Sequence, residues 1–219
     1  MGNILKKSIE FSYKAHYSVS HSPTYTESEI WFVFHGYGQL AGFFIKKFQA
    51  FDSEKRLFIA PEGTNYAYLN GFEGRVGANW MTKHERETAI LNNHNYLDLL
   101  ADTLLAGYSD KPVINILGFS QGAATATRWS SRWKERAERL VLWSGGFAHD
   151  LDLKDSREKF ADTELSIILG DQDPIITEES LEKQKELIDK LGKQVEVLTF
   201  SGGHELDMKM LARIIDSDI

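Results

Sequence analysis

The sequence predicts an α/β protein with a doubly wound, mostly parallel central sheet and helices on both faces of that sheet. Two observations support this fold class: short, nearly continuous apolar runs recur along the chain, and amphipathic helical patterns separate them. Strands that helices cover on both faces show such continuous runs. The predicted strands are Ile30–His35, Arg56–Ala60, Val113–Phe119, Leu140–Ser144, Leu165–Leu169 and Val195–Phe200.

Three helices are indicated by apolar residues that recur at three- and four-residue spacing. The first covers 90–104, with Gly107 as its C-terminal stop. Thr177 caps the second, whose first turn carries two glutamates that suit the helix dipole, and Gly192 ends it. The third presents an apolar stripe made of Met210, Leu211, Ile214 and Ile215.

Three segments fall outside this alternation. Phe11–Ser20 alternates in part and predicts an antiparallel edge strand. Gly146–Glu164 is polar and is expected to be a loop, and so is Glu62–His84, which is rich in Gly, Asn and aromatic residues. Because long loops in compact α/β domains are often functional, Glu62–His84 is expected to contribute to a site.

Length and composition fit a single globular domain over residues 1–219, with 42% hydrophobic and 26% charged residues. The net charge of −7 argues against a nucleic-acid partner. The charge-rich stretch Arg128–Arg139 mixes both signs and is interpreted as a solvated helical face.

The chain has no cysteine, which excludes disulfides, thiolate nucleophiles and cysteine-based metal sites. No apolar run approaches the roughly 18 residues that a membrane span requires. No secretory signal pattern is visible at the start, so the cytoplasm is the expected location.

The strongest chemical signal is Gly118-Phe119-Ser120-Gln121-Gly122, which follows a predicted buried strand and precedes a helix-forming run. A serine at such a strand-to-helix turn is held in a strained backbone above the sheet, where it serves as a nucleophile. The alternative is a glycine-rich strand end with an idle serine. The position of Ser120 between a strand and a helix favours the interpretation of this serine as the nucleophile.

A serine nucleophile needs a base, and the base needs an acid that orients it. In this type of fold the order along the chain is Ser, acid, His. Asp171 and Asp173 both follow the strand Leu165–Leu169, and Asp173 is preferred because Asp171 is better placed to shape the turn. His204 is the only histidine after the acid and is therefore the expected base.

Two backbone N–H groups are expected to bind the developing oxyanion. One belongs to Gln121, directly after the nucleophile, and the other to Tyr37, in the turn that Gly36 and Gly38 allow. His35 precedes this turn and is interpreted as a local hydrogen-bonding residue rather than a second base.

The motifs HGYG, GFSQG, GDQDP and GGHE, in this order, resemble the phospholipase/carboxylesterase family of α/β-hydrolases, which includes acyl-protein thioesterases. The resemblance extends from about Ile30 to the C-terminal helix and includes Ser144-Gly145. It implies the α/β-hydrolase fold, a triad of Ser120, Asp173 and His204, and oxyanion donors at Tyr37 and Gln121.

The expected activity is hydrolysis of a small-molecule carboxylic ester or thioester through an acyl-enzyme on Ser120, with no metal and no organic cofactor. Apolar and aromatic residues predict an acyl or aromatic pocket, although the same residues also suit a core; they are Tyr66, Tyr68, Trp80, Met81 and Phe147. A non-catalytic α/β-hydrolase scaffold that binds a ligand or protein is the main alternative. A peptidase or a dienelactone-type hydrolase also stays open.

Overall fold

A computed structural model of the protein describes residues 3–216 and contains a seven-stranded central sheet in the order β1-β3-β2-β6-β7-β8-β9. Strands β2, β3 and β6 to β9 are parallel, and β1 pairs antiparallel with β3 at one edge. The seven strands are β1 (Tyr17–Val19), β2 (Glu29–Phe34), β3 (Arg56–Pro61), β6 (Val113–Phe119), β7 (Arg139–Trp143), β8 (Glu164–Gly170) and β9 (Glu196–Phe200).

These strands confirm the mostly parallel α/β fold and the six apolar strands that the sequence predicts, within about one residue at each end. The predicted edge strand also exists and is antiparallel. It is shorter than Phe11–Ser20, because only Tyr17–Val19 pairs with β3.

The segment Glu62–His84 contains a β-hairpin, so the expectation of a loop without secondary structure is wrong there. Strand β4 (Asn65–Tyr68) pairs antiparallel with β5 (Val76–Asn79) in a separate two-stranded sheet. All four residues of β4 are exposed, so no burial pattern marks the strand in the sequence.

Helices lie on both faces of the central sheet, as the sequence predicts. A 3-10 helix, Ile45–Phe51, directly follows α1. The α-helices are α1 (Ala41–Phe44), α2 (Arg86–Leu105), α3 (Gln121–Arg132), α4 (Leu153–Lys159), α5 (Glu178–Leu191) and α6 (Met208–Ile215).

Helix α4 lies in the stretch 146–164 that was expected to be a loop. It buries only Ser156, so it has no apolar stripe that a periodicity argument would detect. The Asp152 side chain caps it by accepting hydrogen bonds from the Lys154 and Asp155 N–H groups.

The core has two layers because successive residues of each central strand point to opposite faces of the sheet. In β2, Ile30, Phe32 and Phe34 pack with α2 and α3, in the layer that also contains Trp129. Trp31 and Val33 pack with α1, the 3-10 helix and α6 on the other face. Within residues 3–216, no helix is both long and apolar enough to cross a membrane.

A polar cluster holds the chain near the antiparallel edge. His21 lies between two carboxylates: its Nδ1 is 2.8 Å from Asp52 Oδ1 and its Nε2 is 3.1 Å from Glu27 Oε1. Burial acts to lower the pKa of His21, but the hydrogen bonds and charges of Asp52 and Glu27 outweigh it and raise the pKa above its ordinary value.

We predict that the His21 cluster stabilises the fold more at low pH than at high pH. A raised folded-state pKa gives stabilisation that is full below the unfolded pKa of about 6.5 and is lost as pH rises through the folded-state value. His21→Gln should therefore lower the free energy of unfolding by about 1 kcal/mol at mildly acidic pH, and by less at alkaline pH. Urea denaturation across this pH range measures the difference.

The matched control is His16→Gln, because His16 is an exposed histidine. It should change the unfolding free energy little at any pH. An equal loss for His21→Gln at acidic and alkaline pH would contradict a protonated His21 in the folded state.

Candidate active site

Ser120 lies at the junction between β6 and α3 with a backbone that non-glycine residues rarely adopt. Its φ is 53° and its ψ is −119°. Such a conformation costs on the order of 1–3 kcal/mol and persists only where the surroundings enforce it. Here the Ser120 N–H donates to the Trp143 carbonyl at 2.8 Å, and the Ser120 carbonyl accepts from the Ala123 N–H at 3.0 Å.

The glycines that flank Ser120 are required by close backbone approach. A Cβ atom on Gly118 would lie 2.5 Å from Ala123 Cα, and one on Gly122 would lie 2.4 Å from the Phe34 carbonyl oxygen. Neither neighbour is a flexible side-chain end, so there is no room for any larger residue. The motif spacing therefore reflects the contact of α3 with the ends of β2 and β6.

The loops after β8 and β9 are joined by backbone hydrogen bonds. The Asp171 N–H donates to the Phe200 carbonyl at 3.0 Å, and the Gln172 N–H donates to the Gly202 carbonyl at 2.9 Å. The Asp171 side chain accepts from the Gly202 N–H at 3.1 Å, which confirms that Asp171 shapes this turn. As a result, the residues that follow in both loops lie side by side.

Asp173 and His204 meet at this junction. The Asp173 Oδ2 atom is 2.7 Å from His204 Nδ1, and the carboxylate side chain has no exposed surface. Burial acts to raise the pKa of Asp173, but the hydrogen bonds from the Ile175 N–H and from His204 outweigh it and lower the pKa. Asp173 is thus held as a carboxylate that accepts a hydrogen bond from the imidazole.

His204 is positioned over the end of β6. Its ring centroid lies 5.0 Å from that of Phe119, the residue immediately before Ser120. The Trp143 indole N–H donates to the carbonyl of Glu205 at 2.8 Å and fixes the next residue of the loop. The structure therefore brings the predicted base and acid to the same sheet edge as the predicted nucleophile.

The turn that contains Tyr37 is fixed by two hydrogen bonds. The Gly36 N–H donates to the Gln39 side chain at 2.9 Å, and the Gly38 N–H donates to the Ala78 carbonyl at 2.8 Å. Gly38 has a positive φ of 73°, a conformation that favours glycine. Among residues 3–216, the N–H groups of Tyr37 and Gln121 donate to no protein acceptor.

His35 is a buried structural residue, as the sequence interpretation holds. Its Nδ1 lies 2.8 Å from the Gly36 carbonyl, and its Nε2 accepts from the Gly63 N–H at 2.9 Å. Burial lowers the pKa of His35, so the neutral ring with a proton on Nδ1 suits both partners.

The Gln121 side chain has a role that the sequence did not reveal. Its Oε1 accepts from the Trp80 N–H at 2.9 Å, and its Nε2 donates to the Met81 carbonyl at 2.8 Å. The first residue of α3 thereby fixes the segment that follows β5. The sequence offers no signal for these contacts, because Gln121 lies 40 residues after Met81 and 41 residues after Trp80.

A cavity of about 600 Å³ opens beside Ser120 and extends between α5 and the strands β8 and β9. Of the predicted pocket residues, Met81 and Phe147 line it. Aliphatic side chains form much of the remaining lining, namely Ala124, Ala148, Ile167, Leu169, Ile176, Leu181, Ile188, Val195 and Val197.

The other predicted pocket residues lie outside this cavity. Trp80 is completely buried in the core, where it stacks on His35 at 4.9 Å and donates its indole N–H to the His35 carbonyl. Tyr66 and Tyr68 are exposed on β4, and the Tyr66 hydroxyl donates to Glu62 at 2.9 Å. An aromatic residue near a motif can pack in the core, line a pocket or lie on the surface, and the sequence alone does not distinguish these positions.

The structure places near the site two residues to which the sequence analysis assigned no role there. Arg128 of α3 lines the cavity and is only 8% exposed, so the interpretation of Arg128–Arg139 as a solvated helical face is wrong at this position. It is also wrong at Arg139, which is 7% exposed and begins β7. Ser144 is buried with a φ of 45°. Its hydroxyl faces the Asp173 carboxylate and helps to lower the pKa of that group, but without a hydrogen bond of normal geometry.

A mostly parallel sheet with helices on both faces and a strained serine turn after a central strand define an α/β-hydrolase. The chain belongs to the phospholipase/carboxylesterase family, whose family model matches residues 15–217. Membership of this family indicates a hydrolase of the carboxylesterase kind.

Solved structures show the same fold at low sequence identity. Acyl-protein thioesterase 2 of Zea mays is 14% identical with a TM-score of 0.70, over 92% of this chain and 96% of that chain. A carboxylesterase from Mesorhizobium loti is 15% identical with a TM-score of 0.68, over 93% of this chain and 95% of that chain. No protein of curated function matches the sequence.

We predict that Gly122→Ala destabilises the protein by about 2–3 kcal/mol, because the added Cβ overlaps the Phe34 carbonyl and forces α3 away from β2. Gly42→Ala is the matched control, since its Cβ would meet only the Ser18 hydroxyl at an ordinary 3.6 Å. Urea denaturation measures both. Equal stability of the two variants would show that α3 does not need its close approach to β2.

Proposed function

We propose that the protein is a serine hydrolase that cleaves carboxylic esters or thioesters through an acyl-enzyme on Ser120. The observation that carries the proposal is the 2.7 Å hydrogen bond between Asp173 and His204 at the sheet edge where the strained Ser120 turn lies. A serine, a histidine and a buried carboxylate on one rim form the arrangement that activates a hydroxyl nucleophile.

In the first step, His204 takes the Ser120 proton as the hydroxyl oxygen attacks the carbonyl carbon of the substrate. Asp173 holds the imidazole by its Nδ1 proton and stabilises the imidazolium that forms. Collapse of the tetrahedral intermediate breaks the bond to the alcohol or thiol, which leaves with a proton from His204. Water then attacks the acyl-enzyme with the same residues in the reverse roles.

The N–H groups of Tyr37 and Gln121 are the proposed donors to the oxyanion. Each lies in a rigid turn, and neither has a protein acceptor among the described residues. Donors that are already in place need no rearrangement as charge develops, and removing one typically raises the barrier by about 3–4 kcal/mol.

The cavity beside Ser120 suits an apolar acyl group. It is large enough for a small organic ligand, since ligand pockets commonly measure about 300–1,000 Å³. Its wall under α5 consists mainly of aliphatic side chains, which offer apolar contact but no flat surface for stacking. Such a wall favours an alkyl chain over a planar ring.

Ser120→Ala should abolish labelling by a fluorophosphonate probe and lower kcat for a nitrophenyl ester by about 10⁴-fold or more. Asp173→Asn should lower kcat by about 10³–10⁴-fold, because the imidazole loses the partner that orients it. Ser131→Ala, on the same helix, is the matched control and should keep both labelling and turnover. A folded wild type that is neither labelled nor active would support a non-catalytic ligand-binding scaffold instead.

Val197→Trp should select against long acyl chains, because Val197 lines the cavity far from the triad and is half exposed on the edge strand β9. We expect kcat/KM for a nitrophenyl octanoate to fall about 10-fold or more, with the acetate ester nearly unchanged. Val113→Trp is the matched control on β6, outside the cavity. A flat chain-length profile in the wild type would remove the acyl pocket.

A further inference from the structure

We infer that Arg128 is a specificity-determining residue that binds a carboxylate carried on the acyl part of the substrate. The inference rests on the proposed function, since it concerns the cavity that opens beside Ser120. It assigns to the enzyme a class of substrate, monoesters or monothioesters of dicarboxylic acids, that an aliphatic cavity alone would disfavour.

The position of Arg128 on α3 places it on the same side of the helix as the nucleophile. Ser120, Ala124 and Arg128 follow one another at four-residue spacing, and all three line the cavity. At about 1.5 Å of rise per residue, Arg128 lies roughly 12 Å along the helix from Ser120. The side chain leans back toward Ala124, whose carbonyl oxygen is 3.5 Å from Arg128 Nη1.

Only part of the Arg128 guanidinium is engaged by a strong partner. Its Nε lies 2.9 Å and its Nη2 2.8 Å from Asp150 Oδ1, in a two-pronged ion pair. Nη1 has only weak contacts, the Ala124 carbonyl at 3.5 Å and the Met81 sulfur at 3.9 Å. Two N–H donors on a side chain that is 90% buried are therefore poorly satisfied, which favours binding of an acceptor there.

The charges around Arg128 do not cancel. Asp150 is shared with Arg86, whose Nη2 is 2.8 Å from Asp150 Oδ2, so two guanidinium groups face one carboxylate. Glu87 contacts Arg86 from the solvent side, where its side chain is 80% exposed. Arg128 and Lys185 line the cavity, and its lining contains no aspartate or glutamate among the residues that the structure describes. Because solvent screens the exposed Glu87, an anion next to Nη1 would meet mainly two guanidinium groups and one carboxylate.

Burial acts to raise the pKa of Asp150, but Arg128 and Arg86 outweigh it and hold the pKa at about 2. Asp150 is therefore ionised throughout the pH range of an esterase assay. Its replacement by asparagine removes one negative charge next to Arg128 and weakens the hydrogen bonds that Nε and Nη2 donate, while the shape of the residue is kept.

The test compares p-nitrophenyl hexanoate with mono-p-nitrophenyl adipate, whose acyl groups have the same length and differ by the terminal carboxylate. Wild-type kcat/KM for the adipate should equal or exceed that for the hexanoate. Arg128→Met should lower the adipate-to-hexanoate ratio by about 10- to 100-fold, the usual effect of losing a hydrogen bond to a charged group. Arg128→Lys should recover part of the ratio because it keeps the charge.

Two further variants separate binding by Arg128 from a structural role of its ion pair. Asp150→Asn should raise the ratio or leave it unchanged, although it breaks the same ion pair as Arg128→Met. Arg86→Met is the matched control, since Arg86 also pairs with Asp150 but does not line the cavity, and it should keep the wild-type ratio.

Three results would overturn the inference: a wild type that prefers hexanoate 10-fold or more, an unchanged ratio in Arg128→Met, or an equal loss of ratio in Asp150→Asn or Arg86→Met. If Arg128→Met does not fold, Arg128→Gln takes its place, with the same loss of ratio expected and an unchanged ratio again overturning the inference. Hydrolysis of the hexanoate ester by the wild type keeps the proposed function separate from this test, because absence of that hydrolysis would contradict the proposed function itself.

Discussion

Where β6 passes into α3, the chain turns so sharply that Ser120 takes a left-handed φ of 53°. Neighbouring elements enforce this conformation. The Trp143 carbonyl of β7 accepts the Ser120 N–H. Helix α3 lies so close to the ends of β2 and β6 that no Cβ fits on Gly118 or Gly122. The same contact fixes the start of α3 at Gln121, directly after the serine. Packing and the proposed chemistry therefore depend on the same glycines.

The side chain of Gln121 connects this turn to the segment that forms part of the cavity wall. Its side chain holds the backbone of Trp80 and Met81, and Trp80 in turn stacks on His35 beneath the Tyr37 turn. Met81 belongs to the cavity wall. The proposed oxyanion turn and one wall of the proposed acyl pocket are thus both held by contacts that begin at the residue after Ser120.

The sequence predicted the parts of the fold whose burial follows a simple pattern. The apolar runs of the central strands and the order of the site motifs predict that Ser120, Asp173 and His204 lie at one rim of the sheet. The hairpin at 65–79 was not predicted because β4 is exposed along its whole length. Helix α4 was not predicted because it buries only Ser156. The burial of Arg128 could not be predicted from the sequence because its ion-pair partner, Asp150, lies 22 residues further along the chain.

The amino and carboxyl ends of the parallel strands carry different features: a network of polar contacts at one end and strained turns at the other. At the amino ends of the strands, Glu29 accepts hydrogen bonds from the Trp31 indole, Asn115 and Arg56, and lies 3.5 Å from Arg139. Arg56 and Arg139 also donate to the carbonyls of Ile215 and Ile214, which fixes α6 against the sheet. The strained Ser120 and Ser144 lie at the opposite, carboxyl ends. The polar network around Glu29 thus joins β2, β3, β6 and β7 at the end of the sheet opposite to the strained turns, and those turns are held by their own local contacts with β7 and β8.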